Sequence, residues 1–346
     1  MNYNRLRTIF FTLFSTLLIV ISCSPDQTIA NNTKDEVVFM AGFKAQANLP
    51  FAAVYVAQEM GYFTEENLDV EIRHSASGGT LSLLASKTID ITTSDAANLV
   101  KFVSDQDIPL TSFALIGQVG QQSFVSLEKS NINSPKDWEG KVLGYKGSPP
   151  PEYLAILKAN QVDRSKIDEV RVGYNPAVLT NGDVDILAVF RSNEPNIIES
   201  KLGYPVTIWS PFDYDLPVLG LNYVTHQDTL NEDSESITKF LRAVVRALYF
   251  IVDNEDQSIE MIMKYAQNED KSHQIYMLRS EIKDAWSTIT KENGLGWMSD
   301  NQWNSFYKYL NEWGALGKDI DINKVYTTSI LEEVYSDSSN KLDLKR

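Results

Sequence analysis

What most constrains the fold is a strand–helix alternation that runs through the chain twice. Val37–Phe43 is a short apolar run of strand type, and Phe51–Met60 follows as a helix whose Val54, Ala57 and Gln58 spacing closes at Gly61. Asp69–Arg73 alternates polar and apolar residues, as a half-buried strand does. Gly78-Gly79-Thr80 opens a helix over Leu81–Ser86, Ile89–Thr93 reads as a third strand, and a helix over Ala96–Ser104 completes the series. Strands separated by crossover helices build a parallel sheet with helices over its faces. The pattern restarts with a strand at Lys141–Tyr145 and a helix at Pro151–Asn160. Strands at Val170–Val172 and Asp185–Phe190, a helix at Glu194–Leu202 and a strand at Val206–Ile208 follow.

The expected fold class is therefore α/β, as two lobes of one plan joined by extended segments near Gln118–Val125 and Val218–Val224. Such lobes form a clamp, and ligands bind where the strands of these sheets end. From Ser234 the chain turns helical, with Ile237, Phe240, Leu241, Val244, Val245, Leu248, Ile251 and Val252 on one apolar face. Further helices over Gln257–Tyr265, Gln274–Glu292 and Asp300–Trp313 are assigned to the first lobe. The lobes then comprise residues 37–124 with 221–335, and residues 125–220.

The N-terminus reads as an address. Arg5 and Arg7 precede Thr8–Ile21, fourteen residues without a charge, which is short for a membrane span but suits a signal-peptide core. Cys23 follows in Val20-Ile21-Ser22-Cys23, which resembles the bacterial lipobox, with residues 1–22 as leader and Cys23 as the acylated residue. Residues 23–36 are polar and turn-rich, a tether. This placement is extracytoplasmic and lipid-anchored to a cell membrane.

Charge and composition narrow the chemistry. Forty-six acidic against 31 basic residues leave a net charge of −15, which repels nucleic acid. A single cysteine excludes an intrachain disulfide, and three histidines without ligand spacing argue against a metal site. His74, His226 and His273 are read as surface or capping residues. No nucleophile elbow, H-E-x-x-H or Walker loop is present, and nothing calls for a cofactor.

The segments Tyr55–Phe63, Glu66–Glu71, Gly78-Gly79, Ser134–Lys141, Leu179–Asp185 and Ser192–Pro195 occur in an order that resembles the thiamine-pyrimidine-synthase-like group of bacterial solute-binding proteins. That group is related to the sulfonate- and nitrate-binding components of ABC importers. The resemblance implies a type II periplasmic-binding fold and a monomer that hands a small molecule to a permease with its ATPase subunits. A flat heteroaromatic ligand is implied, thiamine pyrimidine first and riboflavin second. The loop Phe43–Phe51 and the segment Gly144–Ser148 look like those of members that take larger rings. Enzymes of the group draw on a loop histidine and a cysteine-rich motif; Lys44–Phe51 has no histidine, so an enzymatic role is not expected.

The ligand-binding candidates divide by chemistry. The resemblance implies Glu194 as the carboxylate for ring or amino nitrogens, with Asn193 preceding it; Asn-Glu-Pro is also an ordinary helix start. Gly78, Gly79 and Thr80 would offer backbone N–H groups, or simply make a turn. Ser94 and Asp95 end the third strand, where a helix cap is the plainer role. Phe43, Asn48 and Phe51 lie in the loop after the first strand. Tyr145 and Ser148 follow the first strand of the second lobe, and Tyr214 sits in a Pro-flanked loop; the tyrosines are stacking candidates.

Overall fold

The structure is a computed structural model that describes residues 34–76 and 78–336. The expected leader, Cys23 and residues 23–33 of the tether lie outside the described residues.

Ten strands form two five-stranded sheets with the same order. In the first, β1 (Asp35–Ala41), β2 (Leu68–His74), β3 (Ile91–Asp95), β4 (Leu110–Leu115) and β10 (Leu221–His226) lie in the order β2-β1-β3-β10-β4. In the second, β5 (Gln122–Leu127), β6 (Val142–Tyr145), β7 (Asp168–Arg171), β8 (Ile186–Phe190) and β9 (Val206–Trp209) lie in the order β7-β6-β8-β5-β9. Four strands of each sheet run in the same direction, and the fourth in order runs antiparallel to both its neighbours. That antiparallel strand is the one that has just crossed from the other lobe: β5 follows β4, and β10 follows β9. Gln122–Phe124 accordingly pair within the second sheet.

The two crossovers run side by side. Gly220 N–H donates to Gly117 O at 2.9 Å, and Gly120 N–H to Val218 O at 3.1 Å. A Cβ on Gly220 would stand 2.7 Å from Val119 O, and one on Gly117 would stand 2.9 Å from Leu221 N. Glycine is present because the backbones leave no room for anything larger.

Each sheet is covered by its own aromatic core. In the first, Phe39 stacks on Phe240 at 5.8 Å and Phe63 on Phe240 at 5.5 Å, with Tyr223 edge-on to Phe240. These rings seat the helix Ser234–Asp253, whose expected apolar face is buried except for Val252, which is half-buried at its end. In the second, Phe124, Trp138, Tyr153 and Trp209 pack together. The C-terminal helices join the first core.

Two of the departures from the sequence reading have a plain physical reason. The helix expected over Gln274–Glu292 is Lys271–Asp284 followed by a separate Thr288–Asn293. Ser287 ends the first by capping the second: its Oγ accepts the Thr290 N–H at 3.2 Å, and Thr290 Oγ1 accepts the Ser287 N–H at 2.8 Å. Strand β4 was not anticipated. Its Thr111 and Ser112 break the apolar run, and its outer edge is met by Val325 O, which accepts the Ser112 N–H at 2.7 Å.

Candidate functional site

The strand ends of both lobes converge on a cavity of about 370 Å³. Ten of the sequence candidates line it. Phe43, Asn48 and Phe51 come from the segment after β1; Gly78, Gly79 and Thr80 from the turn after β2; Ser94 and Asp95 from the end of β3. Asn193 and Glu194 come from the second lobe, at the start of the helix Glu194–Leu202 after β8. The helix that Thr80 opens, Thr80–Ala85, is only six residues long, so Gly78 and Gly79 contribute bare backbone rather than a strong helix end.

Three candidates lie elsewhere. Tyr145 shares a strand face with Leu143, two residues earlier, and so packs onto the second-lobe core. Tyr214 is folded back onto the same core by the tight turn Pro211–Tyr214, which Ser210 caps. Ser148 is exposed in the loop after β6.

The alternation that turns Tyr145 away brings Lys146 into the cavity. Lys146 ion-pairs with Glu194, whose other oxygen accepts the Phe190 N–H at 2.8 Å. Lys146 is thus a basic side chain at a strand end of the cavity, and it is charge-balanced. Tyr174, Phe190 and Phe102 also line the cavity and were not singled out from sequence. Tyr174 reaches across from the second lobe to Phe43, with ring centroids 5.0 Å apart and planes tilted by 37°. Lys146 Nζ stands 5.7 Å from the Tyr174 ring centroid.

Asp95 combines the two roles suggested for it. Its Oδ1 caps the helix Ala96–Gln106 by accepting the Ala97 N–H at 3.0 Å. Its Oδ2 is buried without a hydrogen-bond partner among the described residues. Burial pushes this carboxyl up to about 6, against the lowering effect of the Ala97 and Asn98 N–H groups. Glu152, in the second-lobe helix Pro151–Ala159, is also buried with an unpartnered Oε1. Burial, then the charge on Asp95, pushes it up to about 8.

Asn48 is held from behind. Its Nδ2 donates to Glu281 at 2.5 Å while its Oδ1 accepts from Gln46 Nε2 at 2.5 Å. Burial pushes Glu281 up to about 7 despite N–H and O–H donors from Leu49, Asn48 and Ser192.

The histidines have different surroundings. His226 Nδ1 accepts the Asp228 N–H at 3.1 Å, a capping role as expected. His74 Nε2 lies 2.7 Å from Tyr55 Oη. His273 is not at the surface: it is buried, and its ring nitrogens each stand 2.9 Å from an amide Oδ1, of Asn196 and of Asn193. Burial lowers its pKa. A neutral ring keeps both bonds only if one amide presents its Nδ2. No group of three or more His, Cys, Asp or Glu is placed to hold a metal ion among the described residues.

The family profile described as NMT1/THI5 like matches residues 48–258, more than half of the chain. The chain belongs to this family. It is 24% identical over 287 residues to the formylaminopyrimidine-binding protein of Halalkalibacterium halodurans, covering 81% of this chain and 84% of the relative. It is 22% identical over 296 residues to the riboflavin-binding protein RibY of Chloroflexus aurantiacus, covering 82% and 83%. Among solved structures, the periplasmic aliphatic sulphonate binding protein SsuA of Escherichia coli superposes with a TM-score of 0.66 at 14% identity, covering 87% of this chain and 99% of that one. That likeness shows the fold, the type II periplasmic-binding fold expected from sequence. This member of the NMT1/THI5-like family is a solute-binding protein of the superfamily associated with ABC importers.

Proposed function

We propose that this chain captures a flat heteroaromatic vitamin or vitamin precursor outside the cytoplasm and presents it to the permease of an ABC importer. An aminopyrimidine of the thiamine type is the first ligand, and riboflavin the second. The observation that carries the reading is the cavity lining: Phe43, Phe51, Phe102, Phe190 and Tyr174 supply aromatic faces, and Glu194, Asp95, Asn48 and Asn193 are among the polar groups set between them. Flat rings are held by such faces and oriented by a few aimed acceptors. An aminopyrimidine brings the N–H donors that a buried carboxylate needs. The names of the two relatives above, one a formylaminopyrimidine-binding protein and one a riboflavin-binding protein, support the same ligand class.

An alkanesulfonate fits less well. Lys146 is the only basic side chain among the described residues lining the cavity, and Glu194 already neutralises it. A synthase reading lacks its loop histidine, since Lys44–Phe51 has none. Acylation of Cys23 would tether the protein to its membrane, with a second acyl chain needed for stable anchorage.

The test is to denature the purified protein, identify any released compound by mass spectrometry, and then run melting scans with the thiamine aminopyrimidine, riboflavin and taurine. A ligand at a hundred times its dissociation constant adds about 2.7 kcal/mol of stability. A shift with either ring supports the reading and chooses between the two. A shift with taurine alone overturns it.

A further inference from the structure

One helix of the first lobe holds both walls of the cavity. Lys271–Asp284 reaches the first-lobe loop through two side chains: Gln274 Oε1 accepts the Ala47 N–H at 2.7 Å, and Glu281 Oε2 accepts the Leu49 N–H at 2.7 Å. Glu281 Oε1 accepts the Asn48 amide at 2.5 Å. The same helix meets three successive residues of the second lobe. Arg191 Nη2 donates to Asp284 Oδ2 at 2.8 Å, Ser192 Oγ donates to Glu281 Oε1 at 2.9 Å, and Asn193 Oδ1 lies 2.9 Å from His273 Nε2. Positions 273, 281 and 284, with buried Met277 between them, share one face of the helix. The next residue of the second lobe is Glu194.

These bonds are graded by distance from the crossovers. Asp284 sits beside them: its carboxylate accepts from Gln121, and its backbone oxygen accepts the Gln118 N–H at 3.0 Å. His273 lies eleven residues earlier, about 16 Å along the helix axis. Rotation of the lobes about the crossovers moves the Asp284 bonds least and the His273 bonds most. The chemistry at the middle position is specific. Three donors, from Leu49, Asn48 and Ser192, converge on Glu281, and a carboxylate accepts all three. An amide in its place would turn N–H donors towards groups that are themselves donors.

We propose that the helix Lys271–Asp284 is a bracket that sets the closed spacing of the cleft. Glu281 is the positioning residue that couples Asn48 of one wall to Ser192 of the other, and His273 is the outer catch on the turn that carries Glu194. The assignment rests on the proposed ligand cleft only in taking Asn48 and Glu194 to face the ligand.

Hydrogen exchange followed by mass spectrometry on the ligand-free full chain tests the bracket without any ligand. Ser192→Ala and His273→Ala are each expected to raise exchange in residues 191–198 at least threefold, leaving residues 47–52 at the wild-type rate. Glu281→Gln is expected to raise both stretches, and adding Ser192→Ala to it should change residues 191–198 little further. His273→Gln, whose amide restores one donor and one acceptor, should recover most of the protection lost in His273→Ala. If Glu281→Gln does not fold, the Ser192 and His273 variants decide. Wild-type exchange in 191–198 for both of those, or equal rises across the molecule, would overturn the bracket. With riboflavin or the thiamine aminopyrimidine, whichever the wild type binds, His273→Ala should raise the dissociation rate about tenfold at an unchanged association rate. A wild type that binds neither ring defeats the ligand reading while the exchange result still judges the bracket.

Discussion

Phe43 and Tyr174 meet ring to ring across the mouth of the cavity, one from each lobe, with centroids 5.0 Å apart. Tyr174 is nevertheless 49% exposed, so it contributes little to either core. The pair is placed to lie against a flat ligand, and its loss should affect binding far more than folding. Tyr174→Ala is expected to weaken riboflavin or aminopyrimidine binding roughly fivefold, the equivalent of about 1 kcal/mol for one aromatic contact, with a melting temperature within a degree or two of wild type. Calorimetric titration beside a melting scan checks both halves. Unchanged affinity would remove Tyr174 from the site.

Glu194→Gln separates recognition of donors from recognition of anions. In the native protein the carboxylate is shared between Lys146 and the Phe190 N–H. Replacing it with an amide leaves Lys146 without its counter-charge and removes the charge from the acceptor offered to a ligand. Aminopyrimidine binding should fall by about 1.5–3 kcal/mol, roughly ten- to a hundredfold. Taurine, which the native site has no free cation to hold, should bind better than before. Titrations of both ligands with both proteins check the reversal, and a parallel fall in the two would contradict it.

Much of this was legible because the fold rests on local alternation. Val37–Phe43, Asp69–Arg73 and Asp185–Phe190 carry their strand character in neighbouring residues, and the helix over Ser234–Asp253 announces its buried face every third or fourth position. Strand β4 does not: buried Ser112 is paired on its outer edge by Val325 and Thr327, from more than two hundred residues away, and buried Thr111 is paired by Thr225 of β10. Site residues follow the same division. Glu194 was singled out through the family resemblance, its Asn-Glu-Pro context by itself indicating only a helix start, whereas Tyr145 and Lys146 differ only in parity, and one residue of register decides which of them faces the cavity. Nothing local marks Glu281 or Asp284, since their partners Ser192 and Arg191 lie some ninety residues earlier.

Three buried carboxyls set how the fold responds to pH. Burial raises Glu152 to about 8, Glu281 to about 7 and Asp95 to about 6. In the unfolded chain such groups titrate near 4. Between those values the native state holds protons that the unfolded chain has released, so stability is fullest at the acid end and is lost as pH rises through about 6 to 8. Each group contributes a slope of up to about 1.4 kcal/mol per pH unit inside its own window. Below about pH 7 the histidines His74, His226 and His273, whose pKa burial lowers, act in the opposite sense, so the melting temperature should fall from pH 7 to pH 8.5, and Glu152→Gln should flatten that fall. A native melting temperature that rises with pH over this range would contradict the assignment.

The crossovers give a prediction that isolates backbone packing. Gly220→Ala forces a Cβ to 2.7 Å from Val119 O and 2.9 Å from Gly117 O, both of them backbone atoms that cannot step aside. Gly173→Ala, one residue before Tyr174, meets nothing within 4 Å and needs no positive φ. The first substitution should destabilise by about 1–3 kcal/mol through overpacking. The second should be neutral or slightly stabilising, since it removes freedom from the unfolded chain without straining the folded one. Because the crossovers also set where the lobes meet, Gly220→Ala should weaken ligand binding by more than its loss of stability unfolds the protein, measured well below the melting temperature. Urea midpoints and titrations on the two variants check this. If Gly220→Ala matches Gly173→Ala in both, the close approach of the crossovers is not what the glycines are there to permit.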